Sequence, residues 1–130
     1  MALYWDLMFN TETNSTTLAD LNKEGTTTVA SYVPKYNGRL LKVMILPQNQ
    51  AATSLMEGIR VELECTIWRP NRIRFGATGT GLRTAPAFPQ AAPVYDVDQQ
   101  VATNQEIKGQ YLFVDTATTP RIEVWGLFQA

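Results

Sequence analysis

The chain lacks histidine altogether and has one cysteine, Cys65, among its 130 residues. Without histidine it cannot build a Ser-His-Asp or Cys-His nucleophilic system, and most zinc sites are excluded. A single cysteine excludes an intramolecular disulfide and an all-cysteine metal site. Because Cys65 is in phase with the apolar residues around it, we expect a buried, unreactive thiol. These absences predict a protein that is not an enzyme and that uses no cofactor.

Charge is also scarce, since charged residues make up 18% of the chain and the net charge is −1. Thr, Gln and Asn take the place of charged residues. The abundance of Thr has a second explanation, since Thr favours β-strands. A weakly charged surface repels its own copies little, so many copies can pack closely. The balance of charge argues against a strongly basic nucleic-acid-binding protein and leaves nucleic acid only weakly indicated.

No hydrophobic run is long enough for a membrane helix, so we expect no membrane span. The first six residues have no basic segment, and Asp6 interrupts their apolar run. This is not the pattern of a signal peptide. We therefore expect synthesis in a cytoplasm.

Apolar residues alternate with period two along most of the chain, the pattern of half-buried strands. About eight strands are predicted, at residues 3–9, 26–33, 39–46, 59–68, 72–75, 94–97, 106–114 and 121–129. Two short helical turns are predicted at 17–21 and 51–56, and Asn37-Gly38 is typical of a tight hairpin. Residues 1–130 are thus expected to form a single-domain, all-β antiparallel sandwich. A jelly roll is the leading topology and an immunoglobulin-like sandwich the alternative.

The last predicted strand has two apolar sets. Ile122, Val124 and Phe128 alternate with Trp125 and Leu127. One domain has one core, so the second set needs another partner, and large exposed apolar groups usually mark a contact surface. We predict that Trp125 and Leu127 form a subunit interface. The alternative is a covering loop from the same chain, at residues 82–93.

Five of the seven arginines lie between residues 60 and 83. Among them Arg69, Arg72 and Arg74 are candidates for contacts with nucleic acid or with a neighbouring copy. The alternative is that these arginines pair with the acidic face formed by Glu62 and Glu64 on the adjacent strand.

Asp96 and Asp98 lie two residues apart on a short predicted strand. Two such neighbours do not flank a substrate as catalytic carboxylates must. They are weak candidates for calcium ligands, together with nearby carbonyl oxygens. The alternative is a solvated strand end.

In architecture the chain resembles the single jelly-roll capsid proteins of icosahedral viruses, with short strands, low charge and long loops rich in Gly and Pro. Its ending, Val124-Trp125-Gly126-Leu127-Phe128, is similar to the last strand of trimeric tumour-necrosis-factor and C1q-like jelly rolls. In those proteins a glycine and aromatic residues pack near the three-fold axis. Both resemblances imply a symmetric homo-oligomer.

Two functional classes follow. The first is a self-assembling structural protein, most simply a viral coat subunit. Its partners would be its own copies and other capsid proteins, and its destination the virion. The alternative is a non-catalytic, lectin-like module that binds carbohydrate through exposed Trp or Tyr side chains.

Overall fold

Nine strands form two antiparallel sheets in the computed structural model, which describes residues 2–13, 15–49, 59–76, 94–113 and 120–130. The strands are β1 (Leu3–Thr11), β2 (Ala19–Asp20), β3 (Ser31–Tyr32), β4 (Gly38–Asn49), β5 (Ile59–Glu64), β6 (Arg72–Phe75), β7 (Val94–Val101), β8 (Ile107–Phe113) and β9 (Pro120–Gln129). The expected all-β antiparallel sandwich is confirmed. Within the described ranges no helix is long and apolar enough to cross a membrane.

The two sheets differ in strand order. The first sheet runs β1-β9-β4-β7. The second runs β2-β8-β5-β6, and β3 also pairs with β8. β5 and β6 pair as an antiparallel hairpin, in which Val61 lies opposite Phe75 and Glu64 opposite Arg72.

The core lies between the sheets and takes the inward residues of both. Its largest fully buried side chains are Trp68, Tyr111, Phe9, Phe113, Phe128, Met8, Leu21, Leu40, Ile45, Leu63 and Ile107. Cys65 is also buried, as expected. Period-two alternation produces this core because successive side chains of a strand point to opposite faces of the sheet.

Gly126 belongs to the core side of β9. A Cβ atom at this position would lie 2.8 Å from the Phe128 ring and 2.9 Å from a Leu40 methyl carbon. The space beside this glycine is therefore filled by side chains of the same chain, and not by a neighbouring subunit at a symmetry axis.

The region before β4 departs from expectation. The predicted helical turn at 17–21 is wrong, because Ala19 and Asp20 form β2 and pair with β8. The strand predicted at 26–33 is reduced to β3. The chain between β2 and β3 leaves the second sheet, bridges Phe9 of β1 through Lys23, and turns at Gly25. The helical turn predicted at 51–56 and the loop at 82–93 lie outside the described residues.

The hairpin predicted at Asn37-Gly38 is wrong, since β3 and β4 lie in different sheets. The Asn37 side-chain carbonyl instead accepts a hydrogen bond from the Thr103 amide, at 3.0 Å. Gly38 opens β4, where a Cβ atom would lie 1.9 Å from the Gln129 carbonyl oxygen. Close approach of two backbones requires glycine here.

The strand predicted at 59–68 ends early, at Glu64. A turn follows, in which the Trp68 amide donates to the Cys65 carbonyl at 3.1 Å. Alternation continued from the buried Val61 to the end of the predicted strand would place Trp68 on the outer face; this is wrong, because the turn directs the indole into the core. Its Nε1 donates to the Gln100 carbonyl at 2.9 Å, which satisfies the buried polar atom.

Candidate assembly surface

The outer face of the first sheet contains the second apolar set of β9. Ile122, Val124 and Phe128 are buried in the core, whereas Trp125 and Leu127 are half-buried on the opposite face. The alternation expected along this strand is therefore confirmed. The Trp125 indole donates a hydrogen bond to the Glu123 carboxylate at 3.0 Å, which leaves its ring available for apolar contact.

Cross-strand pairing extends this apolar set over the whole sheet. Trp125 lies opposite Leu7 of β1 on one side and Met44 of β4 on the other. Met44 in turn lies opposite Val94 of β7. Four apolar side chains thus form a continuous row across four strands.

A second row lies beside the first. Leu127 pairs with Trp5 on β1 and with Lys42 on β4, so half of this row is apolar and half is charged. Leu3, farther along β1, is 60% exposed, and Trp5 is 43% exposed. We call the combined set the outer apolar surface; it consists of Leu3, Trp5, Leu7, Met44, Val94, Trp125 and Leu127.

The contribution of β1 depends on a bulge. In the sequence Leu3, Trp5, Leu7 and Phe9 share one phase, but the register between β1 and β9 shifts between Leu7 and Phe9. Phe9 therefore turns into the core together with Met8, while the three preceding residues stay outside. Five residues of this surface were not predicted as interface residues: Leu3, Trp5, Leu7, Met44 and Val94. Alternation alone could have separated the two faces of β1 but could not locate the bulge.

Charges of both signs border the outer apolar surface. Lys42 pairs with Asp96 at 2.8 Å, and Arg121 approaches Glu123 at 3.3 Å. The Lys42–Asp96 pair is solvent-exposed and contributes little to stability, whereas in the other pair the Glu123 side chain is only 15% exposed. Their mixed signs matter more for recognition, because a border with both charges can pair with a rotated copy of itself.

Asp96 and Asp98, the candidate calcium ligands, each face a different cation. Asp96 pairs with Lys42, and the Asp98 carboxylate accepts from Arg39 Nε at 2.7 Å. Arg39 also donates to the Asp98 carbonyl, and Asp98 has a positive φ of 51°. Within the described part of the chain, no three His, Cys, Asp or Glu side chains are grouped to hold a metal ion. Calcium binding by these two residues stays a prediction.

Two of the candidate arginines, Arg72 and Arg74, lie on β6 of the other sheet. Glu62 is 3% exposed, and its carboxylate lies 3.1 Å from Arg60, 3.6 Å from Arg72 and 3.6 Å from Arg74. Arg72 also binds Glu64 at 2.7 Å. We call these five residues the charge cluster. The acidic partners expected for Arg72 and Arg74 are present, so much of their charge is neutralised within the chain.

The ion pairs that Glu62 makes in the charge cluster lack hydrogen-bond geometry. Neither carboxylate oxygen of Glu62, nor Nε of Arg60, has a hydrogen-bond partner among the described residues. Coulombic attraction in a poorly solvated position therefore holds Glu62 to the arginines, whereas Arg72 and Glu64 are also joined by hydrogen bonds. Glu62, Glu64 and Arg72 also line a shallow polar cavity of about 390 Å³ on this face.

Arg69 is separate from the cluster. Its guanidinium donates to the carbonyl oxygens of Thr66, at 3.1 Å, and Trp68, at 2.7 Å. It thus closes the turn between β5 and β6. The three candidate arginines do not form one basic surface, and their contact with nucleic acid or another copy stays a prediction.

The exposed aromatic residues do not form one platform for a sugar ring. Tyr36 is 57% exposed and packs edge-on against Tyr4, with ring centroids 5.8 Å apart. Tyr4 and Trp5 point to opposite faces of β1, so Tyr36 and Trp5 lie on different sides of the strand. Tyr111 and Trp68 are buried.

Comparison of the chain with protein-family models, with curated proteins and with solved structures finds no match.

Proposed function

We propose that this protein is a self-assembling structural subunit, a single jelly roll that packs with its own copies into a shell such as a viral coat. The observation that carries the proposal is the outer apolar surface. The opposite face of the same sheet already forms the core, so this surface has no described partner within the chain. A partner outside the chain would bury it.

Strand order supports the jelly-roll topology. A jelly roll folds eight strands into two facing sheets. If β2 and β3, which share β8 as neighbour, count as one interrupted strand, each sheet here has four strands. Apart from that pair and the β5–β6 hairpin, each connection passes from one sheet to the other. This back-and-forth path is expected for a jelly roll.

The border of the outer apolar surface supports a second copy as its occupant. The surface has an apolar centre, with Lys42 and Asp96 on one side and Arg121 and Glu123 on the other. Two-fold rotation of such a surface can bring cations opposite carboxylates. Contact between identical copies in closed symmetry is the commonest arrangement of soluble oligomers.

The low overall charge supports a shell in preference to a small complex. At 18% charged residues and a net charge of −1, many copies could pack at high local density without strong repulsion. The proposal places the assembled protein in a virion, with other capsid proteins as further partners. Nucleic acid remains a weakly supported partner, because Arg72 and Arg74 are paired with Glu62.

Particle size tests the proposal. Light scattering and negative-stain microscopy of the purified chain should show large symmetric particles. Trp125→Ala should give smaller species that retain the β-sheet circular dichroism signal, because truncating a central interface tryptophan often costs about 2 kcal/mol or more. Tyr36→Ala is the matched control, since it removes an exposed aromatic ring outside the surface. Full-size particles from Trp125→Ala would remove that residue from the interface, and a monomeric wild type would overturn the proposal.

A carbohydrate-binding module is the second candidate, favoured by the exposure of Trp5 and Tyr36. Because these rings lie on different sides of β1, each would have to stack with sugar separately. Retention of a small, monomeric wild type on a glycan column, lost in Tyr36→Ala, would select this function over assembly.

A further inference from the structure

One stretch of sheet edge is open in the described structure. β1 is the end strand of the first sheet. Its second half is covered, since the Glu24 amide donates to the Met8 carbonyl at 3.2 Å and the Asn10 amide donates to the Asn22 carbonyl at 3.0 Å. The first half, from Leu3 to Leu7, has no neighbouring strand on that side among the described residues. An uncovered edge is a template for pairing with another strand.

The direction of the free backbone groups follows from the pairing with β9. The Ala130 amide donates to the Ala2 carbonyl at 3.0 Å, so Ala2 points its backbone groups toward β9. In an antiparallel ladder successive residues point these groups to opposite sides. The N–H and C=O groups of Leu3, Trp5 and Leu7 therefore face the open edge. The bulge at Met8 reverses this phase and lets the following residues bind the 22–24 segment.

We propose that two copies of the chain pair through this edge, antiparallel, with a two-fold axis at Trp5. The inference rests on the proposed function and names one contact of the assembly. Leu3 would lie opposite Leu7 of the second copy, and Trp5 opposite its own copy. Three residue pairs that each exchange two backbone hydrogen bonds make about six in total.

The register follows from parity and charge. Side chains that lie opposite each other must share a face of the sheet. Because the two strands are identical and faces alternate along each, a residue of odd number must lie opposite one of odd number, and even opposite even. An axis at Asp6 would put two carboxylates directly opposite each other, which is unfavourable, and would set Leu3 opposite Phe9, in the half of β1 that the 22–24 segment already covers. An axis at Tyr4 would set Leu7 opposite residue 1, which lies outside the described residues. The axis at Trp5 uses the whole open edge and avoids both defects.

Side chains agree with this register on both faces. On the outer face each contact joins Leu3, Trp5 or Leu7 to another of the same three, so all cross-strand pairs are apolar. On the inner face Tyr4 would lie opposite Asp6, and never Asp6 opposite Asp6. The result is one eight-stranded sheet in which two outer apolar surfaces merge.

Charge substitution at Trp5 tests the axis directly. Trp5→Lys or Trp5→Glu alone would put two like charges opposite each other and weaken the pairing. Sedimentation of serial dilutions should show the Kd of the dimer raised at least about tenfold, or 1.4 kcal/mol. Mixing the two variants should restore association, because lysine then lies opposite glutamate. Native mass spectrometry identifies the mixed pair by its mass.

Two controls keep the outcomes separate. Leu18→Lys makes the same kind of change at an exposed apolar residue away from the edge, and should associate like the wild type. Leu3→Pro removes an edge N–H without touching the β1–β9 ladder, and should weaken pairing more than Leu3→Ala, which removes only the side-chain contact. If the Trp5 variants lose their β-sheet circular dichroism signal, Leu3→Pro still tests the pairing through β1.

The outcomes distinguish this contact from assembly in general. A wild type that assembles, with Trp5→Lys associating equally tightly, would overturn the β1 pairing and leave the proposed function standing. Weakened single variants whose mixture is not restored would also overturn the axis at Trp5. A wild type that stays monomeric at all concentrations would end both proposals.

Discussion

The outer faces of the two sheets use opposite chemistry on the same backbone pattern. On the first sheet, the outward positions of β9 and its neighbours form an apolar row through Trp125 and Met44. On the second, the corresponding positions of β5 and β6 hold the charge cluster around Glu62. The difference shows two ways to stabilise the outer face of a sheet. Charged side chains can pair with each other within the chain, or apolar side chains can be buried by a partner. We expect the first face to govern assembly and the second to govern stability of the isolated chain.

The largest effect on stability should come from Glu62→Gln. The neutral amide leaves Arg60, whose Nε is buried, without its counter-charge. Breaking a buried ion pair from one side costs about 3 kcal/mol or more. Urea denaturation should show this loss, while Trp125→Ala should change assembly more than unfolding.

Glu64→Gln is the matched control for that experiment. Its carboxylate is 37% exposed and, among the described residues, forms its salt bridge with Arg72. Because water can replace the contact, the free energy of unfolding should fall by about 1 kcal/mol or less. Equal losses in the two variants would show that burial of Glu62 has no energetic consequence.

A pH-dependent effect should come from the contact that joins the sheets near the edge of β1. The Tyr32 hydroxyl of β3 donates to the Asp6 carboxylate of β1 at 2.5 Å. Burial, followed by this hydrogen bond and the charge of Asp6, raises the pKa of Tyr32 well above its ordinary value. The phenol thus ionises in the unfolded chain near pH 10 but stays protonated in the fold.

The sign of the pH effect follows from that difference. Above about pH 10 the unfolded chain binds fewer protons than the folded one, so stability should fall by about 1.4 kcal/mol per pH unit. Below pH 10 the contribution of Tyr32 is fully present. Denaturation at several alkaline pH values should show a steeper decline for the wild type than for Tyr32→Phe. Identical slopes would contradict a raised pKa at this residue.

The smallest effect should come from Lys42→Ala, on the border of the outer apolar surface. Lys42 and Asp96 form an exposed pair, so removing the ammonium should change the unfolding free energy by about 0.5 kcal/mol or less. We expect a stronger effect on association and on its dependence on salt. A stability loss near that of Glu62→Gln would remove the contrast between the two faces.

Much of the fold was predictable because the alternation of apolar and polar residues indicates where strands lie and which of their side chains face the core. The runs at 39–46, 72–75 and 121–129 are strands, and the inward and outward sets of β9 are as expected. The pairing of Glu62 and Glu64 with arginines on β6 was also anticipated, since side chains on one face of adjacent strands are neighbours. In each case residues close in sequence, or joined by a short hairpin, supplied the information.

The candidate surface was only half predictable. Trp125 and Leu127 could be found from one strand, but Met44, Val94 and Leu7 join them only through pairings between distant segments. The errors have the same origin. Strand alternation would place Trp68 on the outer face, but a turn closed by the Cys65 carbonyl directs it into the core. Asn37-Gly38 precedes β4 and connects strands of different sheets, not the two strands of a hairpin.

By itself, the sequence determined the all-β class, the two-faced character of its last strand and the absence of any histidine-based chemistry. These properties depend on side-chain identity and on a period of two, which hold whatever the strands pair with. Tertiary structure alone decided the strand order, the bulge at Met8, the apolar row that crosses four strands and, among the described residues, the open edge at Trp5. Each of these depends on which distant backbone groups satisfy one another, and a one-residue change of register would reverse the face of every side chain beyond it.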